Sequence, residues 1–165
     1  LMGTKVNPIP DGFHAVTAQL VVRDATRAIE FYRRAFGAEE RMRFPAPDGK
    51  GVMYAELQIG DSVVSLSDEM PMMQYWVSPA ALNGTSVGLM MYAADADALF
   101  QRAVAAGATV SLPLMDMFWG DRYGRIRDPF GHEWVIASRK EDLTPAEIGK
   151  RAQAFFASLS NGGKH

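Results

Sequence analysis

The feature that most constrains the fold is an internal repeat with a separation of about 70 residues. Asp24 corresponds to Asp95, each directly before a helical pattern, and Gly37 corresponds to Gly107, each directly after one. The segments IGDSVVSL and FGHEWVIA, each a turn followed by an alternating strand pattern, match at the same separation. Two matched helix caps and a matched hairpin predict that each half folds as strand–helix–strand–strand–strand.

The hairpin of the second half is the most clearly defined unit in the chain. Residues 118–139 read FWGDRYGRIRDPFGHEWVIASR, in which two strand patterns flank the turn DPFG. Pro129 fixes the φ angle at the second turn position, and Gly131 supplies the conformational freedom that the turn then needs. After the turn, residues alternate with the two-residue period of a strand.

The remaining patterns complete the two predicted modules. Strands are predicted at 13–22, 39–44, 52–59, 62–67, 87–93 and 109–112, with helices after Asp24 and Asp95. We expect a single domain over 13–160, made of modules 13–68 and 85–139 joined by a loop at 69–84. A further helix is predicted at 144–158, because Thr144 and Glu147 form a capping box with Pro145 at the first helical position.

Composition excludes several classes of function. The net charge is −2 with acidic and basic residues interspersed, so we expect no nucleic-acid partner. No apolar run approaches the roughly 20 residues that span a bilayer, so we expect no membrane insertion. The 165 residues include no cysteine, which removes disulfides, thiolate metal sites and cysteine nucleophiles and fits a cytoplasmic location.

Three segments resemble the vicinal oxygen chelate superfamily, which includes glyoxalase I, bleomycin-resistance proteins and extradiol dioxygenases. They are LVVRDATRAIEFYRRAFGAEE, VAAGATV and DRYGRIRDPFGHEWVIASRKEDLTPAE, and the last is similar to the PhnB-like subgroup. The resemblance implies an α+β fold in which tandem βαβββ modules form curled mixed sheets around a cavity. It also implies a homodimer, and in many members a divalent metal bound by the first and fourth strand of each module.

The metal-ligand positions implied by this resemblance fall on Thr17, Ser65, Gly88 and Val135. None of these is a histidine, glutamate or glutamine, and a divalent metal needs several such ligands converging on one point. We therefore expect the cavity without the usual metal.

Replacement metal ligands are few. His14 lies an odd number of residues from Thr17, so in a strand its side chain would leave the opposite face. His132 follows the turn glycine and is expected to bond to local backbone. A site built from non-standard ligands remains the alternative.

The predicted ligand-binding residues combine these cavity positions with neighbouring apolar and polar ones. Met90 and Tyr92 share a strand face with Gly88, whose missing side chain leaves room near the backbone. Methionine and aromatic residues are as often plain core, but together they favour a wall for a flat apolar molecule. The predicted set is Thr17, Gln19, Ser65, Gly88, Met90, Tyr92, Trp119, Arg125 and Val135.

Two charged residues are weak catalytic candidates. Arg125 can clamp a carboxylate or phosphonate, or form an ion pair with Asp116, Asp121 or Glu56. Glu56 shares a strand face with Tyr54 and would serve as a general base if burial raised its pKa; otherwise it is simply paired.

The residues favour a protein that binds or sequesters a small apolar or aromatic molecule. The alternatives are an enzyme of the lyase, isomerase or dioxygenase type, with unusual metal ligands or metal-free acid–base catalysis, and an interaction module that uses the 69–84 loop and the last helix.

Overall fold

The computed structural model describes residues 6–162, which form eight strands and four helices. The strands are β1 (Gln19–Val22), β2 (Glu39–Pro45), β3 (Val52–Ile59), β4 (Ser62–Asp68), β5 (Gly88–Tyr92), β6 (Thr109–Asp116), β7 (Asp121–Arg127) and β8 (Glu133–Arg139). The helices are α1 (Ala25–Phe36), α2 (Pro79–Leu82), α3 (Ala96–Ala106) and α4 (Pro145–Asn161). The predicted α+β arrangement of two tandem modules plus a C-terminal helix is confirmed.

The strands form two mixed sheets with the same topology. Their orders are β1-β4-β3-β2 and β5-β8-β7-β6. In each sheet the first strand runs parallel to the fourth, and the other neighbours are antiparallel. The crossover helix of each module makes the parallel pairing possible, because a short turn cannot return the chain in the same direction.

The chain divides into two compact units. The first unit runs up to Thr85 and also takes in Pro129–Gly131, and the second contains Ser86–Asp128 and the residues from His132 onward. The tip of the β7–β8 hairpin is therefore assigned to the first unit rather than to the unit that contains its strands.

The core of the first unit lies between α1 and its sheet. The helix begins where the Asp24 carboxylate accepts the Arg27 N–H at 3.1 Å, as the capping pattern predicted. Phe31 and Tyr32 are fully buried on the sheet side. Phe130, the aromatic residue of the DPFG turn, completes this cluster with its ring centroid 6.2 Å from that of Phe31.

The second unit is built in the same way around α3. The Asp95 carboxylate accepts the Ala98 N–H at 2.9 Å, again as predicted. A Cβ placed on Gly124 would lie 2.8 Å from the Phe100 ring, so Gly124 faces α3. Because side chains alternate along a strand, Tyr123 and Arg125 leave the opposite face of this sheet, which we call its helix-free face.

Two predicted strand boundaries are wrong, and one short helix was not predicted. The first strand begins at Gln19 rather than at residue 13, because β4 begins at Ser62 and its ladder with β1 pairs only Ser65–Asp68 with Gln19–Val22. The strand predicted at 109–112 continues to Asp116 across register shifts against β7. The predicted loop at 69–84 contains the short helix α2, which Ser78 caps and Pro79 begins.

The last helix has the predicted cap but a largely exposed surface. Thr144 and Glu147 form the reciprocal capping box, and none of the helix residues is buried. Phe155 and Phe156 contact Phe118, with ring centroids 5.2 and 6.2 Å away. Within residues 6–162, no helix is both long enough and apolar enough to cross a bilayer.

Candidate functional site

The helix-free face of the second sheet carries most of the predicted ligand-binding residues. Strand register places Met90, Val135 and Arg125 side by side across three strands. The neighbouring row contains Gly88 and Glu133, which are paired in the same ladder. The face thus combines an arginine, a carboxylate, a methionine and a gap in the side-chain layer.

Arg125 is the most unusual residue of this face. It forms no ion pair or hydrogen bond with any residue in the described part of the chain, and its Nε atom is buried without a partner. Its Nη2 atom lies 3.4 Å from the point where a Cβ on Gly88 would stand, so the guanidinium reaches toward the glycine gap. A buried donor without an acceptor is costly, and an anion placed here would satisfy it.

The ion pairs considered for Arg125 are not formed. Asp116 lies 3.5 Å from Arg122, and Glu56 lies 3.9 Å from Arg41. Asp121 accepts hydrogen bonds from uncharged donors instead, as described below. The acidic partners named from the sequence are therefore engaged elsewhere, and that interpretation of Arg125 is wrong.

Glu133 supplies a second incomplete polar group on the same face. Its Oε1 atom accepts hydrogen bonds from Arg127 Nε at 2.8 Å and from Ser111 Oγ at 3.1 Å. Its Oε2 atom is buried and accepts none. The face therefore carries a buried donor on Arg125 and a buried acceptor on Glu133, neither of which has a hydrogen-bond partner in the described residues.

A pocket of about 410 Å³ opens at the other end of this face, and its wall contains Tyr92, Trp119, Asp121, Arg139 and Ile148. The Tyr92 hydroxyl donates to Asp121 Oδ2 at 2.8 Å, and the Trp119 indole N–H donates to the same oxygen at 3.1 Å. This hydrogen bond to the carboxylate, with burial second, raises the pKa of Tyr92.

The helix-free face of the first sheet is polar and internally bonded. Gln19, Ser65 and Glu56 are side by side in the ladder. The Tyr54 hydroxyl donates to Glu56 Oε1 at 3.1 Å, on the shared face predicted from the sequence. Burial and this hydrogen bond raise the pKa of Tyr54. Thr17 precedes β1, so the strand argument that placed its side chain does not hold.

The donor set does not fit a divalent metal. Thr17, Ser65, Gly88 and Val135 offer two hydroxyls and no imidazole or carboxylate. Among residues 6–162, no group of three or more histidine, aspartate or glutamate side chains could hold an ion. His14 also lies before β1, which removes the strand-face argument made for it.

The predicted ligand-binding residues are divided between the units. Thr17, Gln19 and Ser65 belong to the first unit, and Gly88, Met90, Tyr92, Trp119, Arg125 and Val135 belong to the second. Asp121 was considered from the sequence as an ion-pair partner of Arg125, and Glu133 as a carboxylate near a possible metal site. Neither was predicted as a ligand-binding residue, although strand alternation places both on the face of Arg125. No sequence signal pointed to Ile148, since α4 lies outside the repeat.

Comparisons with known proteins agree with this architecture. Residues 13–136 match the model of the Glyoxalase/Bleomycin resistance protein/Dioxygenase superfamily. A protein of Mycobacterium bovis is 43% identical over 150 residues, which cover 90% of this chain and 95% of that protein.

Solved structures give the same result. TioX from Micromonospora shares 30% identity and a TM-score of 0.60, over 76% of this chain and 98% of that one. The PhnB protein of Bacillus cereus is similar in fold, with a TM-score of 0.56 at 17% identity over 76% of this chain and 99% of that one. With two matching modules, a family model spanning both and a close relative of nearly equal length, this chain belongs to the glyoxalase/bleomycin resistance/dioxygenase superfamily.

Proposed function

We propose that the protein binds and sequesters a small apolar or aromatic molecule that carries an anionic group, using the helix-free face of its second sheet. Arg125 binds the anionic end, and the apolar body lies along Met90 and Tyr92. The proposal requires no metal ion, because the positions at which the superfamily binds one lack suitable ligands here.

The observation that carries the proposal is the unpartnered Arg125. A guanidinium presents several N–H donors in a planar fork that matches a carboxylate or phosphonate. Arg125 Nε is buried without an acceptor, and no acidic residue of the described chain lies within ion-pair distance of the guanidinium. The terminal nitrogens of the guanidinium would bind an anionic ligand and so supply the missing counter-charge.

The surroundings of Arg125 suit an apolar body. Met90 and Tyr92 are 54% and 60% exposed, so both side chains can be reached from solvent. Methionine adapts its shape to a ligand, and a tyrosine ring offers a flat face for stacking. Gly88 has no side chain to push the Arg125 guanidinium away, and Nη2 lies 3.4 Å from the point where a Cβ would stand.

Calorimetric titration tests the proposal with two probes of equal size, 1-naphthoate and 1-naphthalenemethanol. We expect the carboxylate to bind more tightly by about tenfold or more, since charge-assisted hydrogen bonds contribute about 1.5–3 kcal/mol each. Arg125→Gln should remove that preference and leave the alcohol unaffected.

Arg41→Gln is the matched control, because Arg41 lies beside a carboxylate on the first sheet and should not affect either probe. Equal affinity for the two naphthalene probes in the unmodified protein, or no binding of either one, would refute the proposal.

Two further expectations belong to this proposal. The family resemblance implies a homodimer, and the exposed Met42 and Phe44 of β2 support association through apolar surface. Light scattering at several protein concentrations tests this, and a monomer throughout would count against it. We also expect a cytoplasmic location, which fractionation of the source cells would test.

An enzymatic function is the second candidate, and the hydrogen bond between the half-buried Tyr54 and the buried Glu56 favours it. Glu56 is only 8% exposed and receives the Tyr54 hydroxyl, an arrangement that can hold or move a proton. Elemental analysis of protein purified without chelator separates the two functions. A stoichiometric metal that disappears in Glu56→Gln or His14→Gln would favour the enzyme.

A further inference from the structure

The pocket at the Tyr92 end of the second sheet contains a buried carboxylate without a cation. Asp121 is 6% exposed and forms no ion pair with any residue among 6–162. Its two hydrogen-bond donors, Tyr92 and Trp119, are uncharged and both bind Oδ2. A buried charge is normally paired, so this carboxylate lacks the partner that its burial calls for.

The second oxygen of this carboxylate is available to a ligand. Asp121 Oδ1 accepts no hydrogen bond from the described residues. Unlike Arg125 Nε and Glu133 Oε2, it is not fully buried. Asp121 contributes to the wall of the 410 Å³ pocket, so this oxygen can be reached from there.

The rest of the wall suits a positively charged group. Tyr92 and Trp119 supply aromatic rings beside the carboxylate, and Ile148 of α4 supplies an aliphatic side. Aromatic faces attract ammonium groups through their quadrupoles, most strongly for tryptophan. The arrangement therefore combines a hydrogen-bond acceptor, a negative charge and two rings in one pocket.

Arg139 is the one cation in the wall, and its charge is already offset. Its Nη2 atom lies 2.6 Å from Asp142 Oδ1, and the Asp142 side chain is 90% exposed. Arg139 is opposite Asp121 in the β7–β8 ladder but is bonded to Asp142, so the Asp121 carboxylate has no direct ion pair.

We infer that this pocket binds a protonated organic amine, whose ammonium group hydrogen-bonds to Asp121 and lies against Trp119 and Tyr92. The inference rests on the proposed function in one respect, because both sites use the helix-free face of the second sheet. It extends that function to ligands or ligand ends that carry a cation. Asp121 and Arg125 lie four residues apart on β7, about 13 Å along a strand, so their charges can be tested separately although Tyr92 contributes to both subsites.

Nuclear magnetic resonance titration with benzylammonium and benzyl alcohol, two probes of nearly equal size, tests the inference. We expect benzylammonium to shift the Trp119 indole N–H resonance and to bind about tenfold more tightly than the alcohol. In Asp121→Asn this preference should disappear, while the amide oxygen still accepts from Tyr92 and Trp119.

Asp116→Asn is the matched control, since it removes the same charge from a side chain that is 80% exposed in the same unit. It should leave the preference for the amine intact. Equal effects of the two benzyl probes on the unmodified protein, or an undiminished preference in Asp121→Asn, would overturn the inference, and the first of these outcomes needs no variant.

The amine site and the anion site of the proposed function can be tested independently of each other. Arg125→Gln should leave benzylammonium binding unchanged, and Asp121→Asn should leave the preference for 1-naphthoate over its alcohol unchanged. Loss of amine binding in Arg125→Gln would refute the independent amine subsite.

Discussion

The two sheets share their topology and differ in what lies on their helix-free faces. On the first sheet, Arg41 Nη2 donates to the backbone carbonyl of Asp11 at 2.9 Å, and the Trp76 indole N–H donates to Ser67 Oγ at 2.6 Å. Segments of the same unit therefore cover part of this face. On the second sheet, Arg125 Nε and Glu133 Oε2 are left without partners.

The difference shows that a duplicated backbone need not carry a duplicated function. Gln19 pairs with Ser65 as Met90 pairs with Val135, so the ladders are equivalent while their side chains are not. On the first face the polar side chains form hydrogen bonds within their own unit. On the second face Arg125 Nε and Glu133 Oε2 form none. We therefore place the ligand on the second face, and the following experiments test that assignment.

The largest effect on stability is expected from Phe130→Ala, which tests whether the turn of the second hairpin stabilises the first unit. Phe130 is 6% exposed and belongs to the aromatic cluster of the first unit, and Ile59, its counterpart in the first repeat, is an equally buried but aliphatic residue. Removing a buried phenylalanine should lower the free energy of unfolding by about 3–5 kcal/mol. Denaturant titration measures this. Phe44→Ala, at a half-exposed position, is the control and should cost far less.

Gly88→Val tests by ligand affinity whether the second face, and not the first, binds 1-naphthoate. The new side chain would occupy the space beside Arg125 Nη2 and should weaken 1-naphthoate binding by about tenfold, or 1.4 kcal/mol. Stability should stay the same or rise by up to about 1 kcal/mol, because valine suits a strand better than glycine. Thr17→Val, at the corresponding position of the first repeat, should not affect binding. If the two variants bind equally well, the second face is not the site.

Trp76→Phe tests whether the first face is closed by its own loop. The variant loses the hydrogen bond to the buried Ser67 hydroxyl and should be less stable by about 1 kcal/mol. Affinity for 1-naphthoate should not change, as calorimetry would show. Tighter or weaker binding in this variant would implicate the first face.

The smallest effect is a difference in the titration of two tyrosines. The pKa of Tyr54 is raised mainly by burial, and that of Tyr92 mainly by its hydrogen bond to Asp121. Asp121→Asn should therefore bring the pKa of Tyr92 toward its ordinary value, whereas Glu56→Gln should leave that of Tyr54 largely raised. Ultraviolet absorbance titration of tyrosinate formation measures both.

The sign of the pH effect follows from these shifts. For both tyrosines the pKa in the folded state lies above the pKa in the unfolded state. Their contribution to the free energy of unfolding is therefore complete below about pH 10 and is lost as the pH rises through the folded-state pKa. Asp121→Asn should accordingly show a shallower loss of stability in alkali than the unmodified protein. An unchanged alkaline profile would contradict the assigned role of Asp121.

The repeat made the fold predictable from the sequence. Asp24 and Asp95 cap the two module helices and the DPFG turn joins β7 to β8, since these features depend on local chemistry and on period. The start of β1 was not predictable in the same way, because it depends on where the parallel partner β4 supplies hydrogen bonds. The short helix α2 was missed even though Ser78 and Pro79 form a recognisable start signal.

The candidate site was predictable only in part. Register placed Met90, Arg125 and Val135 together, as expected from the two-residue period. Whether Arg125 forms an ion pair was not predictable, because that depends on which carboxylates lie near its guanidinium in the folded chain. The contribution of Ile148 to the pocket depends on how α4 packs, which no repeat constrains.

The position of Phe130 has a consequence for how the protein is made. When a ribosome has finished β4 at Asp68, Phe130 is still 62 residues from being synthesised. The core of the first unit therefore lacks one of its aromatic rings until the β7–β8 hairpin has been made, although N-terminal domains usually fold first. We expect a fragment that ends at Thr85 to be less stable than the first unit of the whole chain.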